Sequence, residues 1–226
     1  MGCRGERFFE GDHDLDEASE ISEDAGIELY HYELDEPDAK HPMGGKGLEA
    51  TRSRLNNGIL NGLFETYLTQ AEKKFFYGRE LRLVHTAVLA MRVGATIEPK
   101  YMEMLRAAYK KIKVAPKYSW PLSDTGFRGP MKEQFEISLK HYKNYGTPYD
   151  FFAPRCKGPG CDKANDELKE EAKLQKCGKC KEISYCSREC QKAHWSKHRK
   201  ECKTPEQRKA EEEARWAGRS FIGLNV

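Results

Sequence analysis

No uninterrupted apolar stretch among the 226 residues approaches the length of a bilayer span. The longest is residues 86–91, and only if Thr86 is counted; a span needs ~20 residues, so a transmembrane helix is excluded. The first nine residues lack the apolar segment of a secretory signal, so an intracellular protein of nucleus or cytoplasm is expected. No Ser/His/Asp grouping, phosphate-cradling glycine loop or His-Glu-x-x-His pattern occurs. No catalysis is therefore expected. Cysteine is nearly absent before residue 156: only Cys3 stands there, remote from the rest, and it reads as a free thiol.

What the chain has in excess is charge, 33% of its residues against a usual ~25%. Its net +3 conceals a polarity, because residues 1–40 carry 14 acidic and 3 basic residues. Few aliphatics accompany them, and such a composition predicts a largely disordered acidic arm over 1–42. A short patch (Ile27, Leu29, Tyr30, Tyr32, Leu34) reads as a strand or docking segment, or else as a linear motif for another protein. Residues 12–36 are also placed to fold back on the basic bundle or finger and screen it.

From residue 47 the apolar period becomes helical. One stripe is Leu55, Ile59, Leu60, Leu63, Tyr67 and Leu68; a second is Leu81, Val84, Val88 and Met91. Pro99 opens a third, with Met102, Leu105, Tyr109 and Ile112, closed by Pro116. Phe135, Leu139, Tyr142 and Tyr145 form a fourth, between Pro130 and Gly146. Four such helices predict a small bundle over 43–150. His85 lies in the second stripe and reads as a hydrogen-bonded core histidine. The run Lys110, Lys111, Lys113, Lys117 reads as a solvated helix end.

The remaining seven cysteines fall in one segment, Cys156-x4-Cys161-x15-Cys177-x2-Cys180-x5-Cys186-x3-Cys190-x7-His198-x3-Cys202. Paired cysteines in a reducing compartment favour metal over disulfides. Zinc takes four ligands tetrahedrally, so eight ligands make two closed sites. In the knuckle Cys177-Gly178-Lys179-Cys180, Gly178 is expected to take the awkward backbone angle. Cys186 and Cys190 are expected on one helix face, as are His198 and Cys202. Ser187 is placed to cap that helix. His194, four residues after Cys190, is the rival ligand to His198.

Tyr185-Cys186-x3-Cys190-Gln191-x3-Trp195-x2-His198-x3-Cys202, after the Cys177/Cys180 knuckle, resembles the MYND-type zinc finger family. The resemblance implies an interleaved cross-brace: Cys156, Cys161, Cys186 and Cys190 on one zinc, Cys177, Cys180, His198 and Cys202 on the other. The chain departs from the family in its Cys-x4-Cys first pair, through Lys157-Gly158-Pro159-Gly160, and in a longer charged insert over 162–176. Closed sites stabilise structure and catalyse nothing, and zinc binding is itself folding free energy.

The fold class expected is mainly α: a disordered acidic arm (1–42), a helical domain (43–150), a two-zinc MYND finger (151–203), and a C-terminal helix and tail (204–226). Thr204-Pro205 opens that helix, Gly218 ends it, and the tail through Leu224 is expected to dock on the body. The resemblance implies a protein-interaction module for short, proline-containing peptides, with Gln191 and Trp195 at the groove. Trp195 also suits the finger's own small core. Readout of nucleic acid is not expected, because Lys192, Lys197, Arg199 and Lys200 lack the spacing of base-reading fingers and glutamates are interspersed. The function expected is an adaptor, in transcriptional regulation; the alternatives are a ubiquitin-ligase adaptor and a variant of a SET-MYND methyltransferase.

Overall fold

A computed structural model describes residues 7–32, 47–115, 126–144, 146–169 and 172–217. The chain divides into two compact units between Phe151 and Phe152. It is mainly helical, as its apolar periodicities require. Among the described residues no helix is long and apolar enough to cross a membrane.

In the first unit, helix α1 is Asp12–Ala25, α2 is Leu48–Arg54, α3 is Leu60–Thr69, α4 is Arg79–Val93, α5 is Pro99–Ala108 and α6 is Met131–His141. Strands β1 (Val114–Ala115) and β2 (Phe127–Arg128) pair in parallel, Val114 opposite Phe127. The stripe from Leu55 to Leu68 does not lie on one straight helix. Asn57 and Gly58 take non-helical angles between α2 and α3, Gly58 at φ 105°. Leu55, Leu60, Leu63 and Tyr67 are nevertheless buried, while Leu68 is exposed. Helix α4 is buried on every side from Leu81 to Met91, because α1, α2, α3 and α5 all pack on it. It ends at Gly94, whose left-handed φ of 75° and close approach to the 146–148 backbone exclude a side chain. Of the fourth stripe, Phe135, Leu139 and Tyr142 are buried, and Tyr145 lies outside the described residues. The exposed ends of Lys110, Lys111 and Lys113 agree with a solvated surface.

Residues 7–32 correct the expectation of disorder for their part of the acidic arm, whereas residues 1–6 and 33–42 lie outside the described residues. Residues 7–32 are part of the core: Phe8, Ile21, Ile27 and Leu29 are essentially inaccessible, and Phe9 nearly so. Burying five such side chains contributes roughly 8–15 kcal/mol gross at ~1.5–3 kcal/mol each. That equals the entire net stability of a typical domain. The acidic residues that suggested disorder find buried partners far along the chain. Asp14 accepts from the Phe9 N–H at 2.8 Å and from Arg128 Nη1 at 3.0 Å, and His85 Nε2 lies 3.3 Å from it. Arg82 Nε lies 2.6 Å from Glu17, and Arg82 also contacts Glu20. The Tyr67 hydroxyl donates to Asp24 at 2.6 Å.

His85 is wholly buried, as expected, with Nδ1 3.1 Å from the Leu81 carbonyl. The patch around Ile27 and Leu29 is a docking segment rather than a strand: Ser22 Oγ accepts from the Leu29 N–H at 3.0 Å, and both side chains join the core. Leu34 lies outside the described residues. Residues 12–32 thus pack within the first unit as a constituent of its core, and residues 33–36 lie outside the described residues.

Candidate metal centres

The second unit holds two short strands, β3 (Gln175–Lys176) and β4 (Ser184–Tyr185), paired antiparallel with Gln175 opposite Tyr185. Helix α7 is Arg188–His198 and α8 is Pro205–Ala217. The β3–β4 turn carries the knuckle. The Cys177 N–H donates to the Ile183 carbonyl at 2.7 Å, and the Lys181 N–H returns to the Cys177 carbonyl at 2.9 Å. The left-handed residue is Lys181 (φ 59°) and not Gly178, which corrects the role assigned to that glycine. The reversal falls after the second thiol because residue 181, not 178, must turn the chain back toward β4.

Cys156 runs parallel to Ser184, with the Lys157 N–H donating to the Ser184 carbonyl at 3.0 Å. The four-residue loop to Cys161 closes through the Cys161 N–H on the Gly158 carbonyl at 2.9 Å. Gly158 is required there: a Cβ would sit 2.6 and 2.7 Å from Cys190 Cβ and Sγ. The described residues of the long charged insert are held locally as well. Glu167 Oε2 accepts from the Ala164 N–H at 2.8 Å and from Arg155 at 3.0 Å, and Asn165 Oδ1 accepts from the Leu174 N–H at 2.8 Å.

Cys186 and Cys190 do not share a helix face, because α7 begins at Arg188. Ser187 is its cap, accepting from the Cys190 N–H at 3.2 Å. Cys186 therefore precedes the helix and Cys190 sits in its first turn. At the other end, His198 is the last helical residue and Cys202 lies beyond it. Each pair spans a helix end, where the chain turns enough to aim both side chains at one point.

Two donor sets result, Cys156/Cys161/Cys186/Cys190 and Cys177/Cys180/His198/Cys202, the atoms of each within 4.8 Å of one another. A zinc tetrahedron with Zn–S about 2.3 Å and Zn–N about 2.05 Å has S···S edges of about 3.8 Å and S···N edges of about 3.6 Å. In the first set Cys161–Cys186 and Cys186–Cys190 are 3.6 and 3.5 Å apart. In the second, Cys177–Cys202 is 3.9 Å and Cys180 Sγ to His198 Nε2 is 3.6 Å. Disulfides require about 2.05 Å, and all seven of these cysteines are free.

The chemistry of the donors agrees with the geometry. Burial and neighbouring thiols push Cys186 up to about 12 and Cys202 up to about 11. Burial also raises Cys177, yet the Cys180 N–H, the His198 imidazole and the Lys179 N–H bring it down to about 6. A divalent cation removes this conflict, since it deprotonates the thiols it binds. The residues fit two zinc ions, which close the finger and leave no position for water.

His194 belongs to neither set. Its Nδ1 is 3.0 Å from the hydroxyl of buried Tyr185, and its ring stacks on His198 at 5.8 Å. Gln191 and Trp195 lie one turn apart on α7. Trp195 is 44% exposed while its indole meets the His198 ring edge-on at 5.9 Å, so it serves the finger's packing and its surface together. One supporting residue went unread in the sequence. Arg208 on α8 donates to the Cys180 carbonyl at 2.9 Å and to the Lys203 carbonyl at 3.1 Å, and pairs with Glu182 at 2.9 Å. Helix α8 is fixed for this by a reciprocal cap between Thr204 and Gln207. An arginine in a charged helix carries no local signal of such a contact.

The MYND finger family matches residues 159–202. This segment is a MYND finger. The match begins inside the first ligand loop, so geometry alone puts Cys156 in the first set of the MYND finger. The chain is 49% identical over 39 residues to SET domain-containing protein 14 of Caenorhabditis elegans, covering 17% of this chain and 9% of that protein. It is 56% identical over 34 residues to SET domain and MYND-type zinc finger protein 6 of Schizosaccharomyces pombe, covering 15% and 7%. It therefore spans less than a tenth of either relative. No solved structure matches the chain significantly. MYND fingers commonly serve as protein-interaction modules, and that is the general role of residues 159–202.

Proposed function

We propose that the chain is a non-enzymatic adaptor whose finger docks short, proline-containing peptides of partner proteins, in transcriptional regulation. The observation that carries this reading is Trp195, nearly half exposed on a helix whose position two metal sites fix. An apolar ring held rigid against a zinc-ligating imidazole packs a proline at little entropic cost, and the amide of Gln191, one turn away, hydrogen-bonds an extended backbone. Zinc acts by holding α7 in place.

The test is a proline-peptide array probed with the zinc-loaded full chain and with Trp195→Ala. The variant is expected to keep two zinc ions per chain and lose array binding. An unchanged binding pattern would refute the reading. A second reading, an activity shared with SET proteins, draws on the names of the two relatives, which match over the finger alone. Calorimetric titration with S-adenosylmethionine decides it: saturable binding supports that reading and its absence dismisses it.

A further inference from the structure

We infer that the peptides this finger takes carry acidic residues flanking the proline, held by a row of cations beside Trp195. The inference rests on the peptide-docking reading above and specifies its partner. With about 100° per residue along α7, Arg188, Lys192 and Arg199 fall within about 60° of Trp195, all on one side. Gln191 and the ligand His198 occupy the opposite side. Arg199 follows the last helical residue and keeps helical backbone angles, so the row continues past the helix end. All three cations are exposed.

The one acidic residue of α7 is Glu189, in its first turn. One carboxylate against three cations leaves this row with a net positive charge. On the other side of Trp195 stands the His198 ring, a ligand of the second set, 5.9 Å away. A peptide laid over the indole therefore meets the Gln191 amide and a ligand imidazole on one flank and cations on the other. Acidic residues on that flank add attraction, and basic residues there are repelled. A row of this kind also attracts phosphate, but Trp195 and Gln191 suit a proline and a peptide backbone, so the peptide is the occupant the site favours.

The experiment is a display selection on the zinc-loaded full chain, with one proline fixed and the positions on both sides randomised. It is run in parallel on Trp195→Ala and on a triple variant, Arg188→Gln, Lys192→Gln, Arg199→Gln, after zinc content is checked. The wild type is expected to enrich Asp and Glu on one side of the proline. The triple variant should keep proline-dependent enrichment and lose the acidic preference, and Trp195→Ala should lose both. The best acidic peptide should bind roughly fivefold to tenfold more tightly than its Ser-substituted counterpart, as three exposed ion pairs allow. That advantage should shrink as salt rises.

Enrichment that depends on Trp195 but shows no acidic preference would overturn the inference and leave the docking reading intact. Absence of any Trp195-dependent enrichment would overturn both. Displacement of the acidic peptide by an equimolar single-stranded oligonucleotide, lost in the triple variant, would reassign the row to phosphate and overturn the inference.

Discussion

Replacing Gly158 by alanine probes the first metal site without touching a ligand. The added Cβ would lie 2.6 Å from Cys190 Cβ and 2.7 Å from its Sγ. Reaching ordinary contact at 3.4 Å opens the gap by about 0.7–0.8 Å, against a tolerance of about 0.2 Å in metal–ligand distances. The loop and Cys190 cannot both keep their places. Cys190 is fixed by the Ser187 cap on its N–H, so the strain falls on the 157–160 loop and carries Cys156 and Cys161 with it. Perturbing the surroundings of a metal site typically costs about 10–100-fold in affinity. That is the loss expected for the first zinc, while the second is unchanged.

Gly178→Ala is the matched control, because nothing lies within 4 Å of its Cβ and its backbone is not left-handed. The assay is native mass spectrometry during graded chelator competition. Gly158→Ala should pass through a one-zinc species at chelator levels where wild type and Gly178→Ala still hold two. A wild-type profile for Gly158→Ala, or equal damage from Gly178→Ala, would refute the argument.

Asp14→Asn should destabilise the first unit by about 3–5 kcal/mol in urea unfolding, because it removes the buried carboxylate that meets Arg128. Burial raises the Asp14 carboxyl, but His85 and Arg128 outweigh it and hold it below its ordinary value of 3.8. Its contribution is therefore complete above pH 3.8 and is lost as pH falls through the lowered value, a dependence the variant should lack. Glu17 is the opposite case. Burial raises it above 4.5 despite His85 and Arg82, so its contribution is present below 4.5 and lost as pH rises through the raised value. Glu17→Gln should then cost less than Asp14→Asn at neutral pH, and equal costs would refute this sign. Arg208→Ala should speed chelator extraction of the second zinc several-fold while the first is unaffected, since the groups that lose a partner, the Cys180 and Lys203 carbonyls and Glu182, adjoin ligands of the second set. Acidification should release zinc from both sites, as thiolates regain protons, and a pH-independent affinity would contradict thiolate ligation.

Local spacing was enough to identify the eight ligands. Cysteines three to five residues apart, and a histidine four before the last, are short-range patterns that survive any tertiary arrangement. The choice of His198 over His194 rested on its four-residue step to Cys202 together with its match to the family position, since His194 also stands four residues from a cysteine. The helical stripes were equally local, and Leu60, Val84, Leu105 and Phe135 are buried where the 3.6-residue period placed them. The acidic arm was not legible. Whether Asp14 and Glu17 are solvated or buried depends on Arg128 and Arg82, more than 60 residues away in sequence, and composition holds no record of that pairing. Likewise Gly158 is needed only because the loop crosses Cys190, and Arg208 matters only because α8 returns to the knuckle. Sequence determined which atoms can ligate; tertiary structure decided which charges could be buried, because a charge enters a core only where its partner is already waiting.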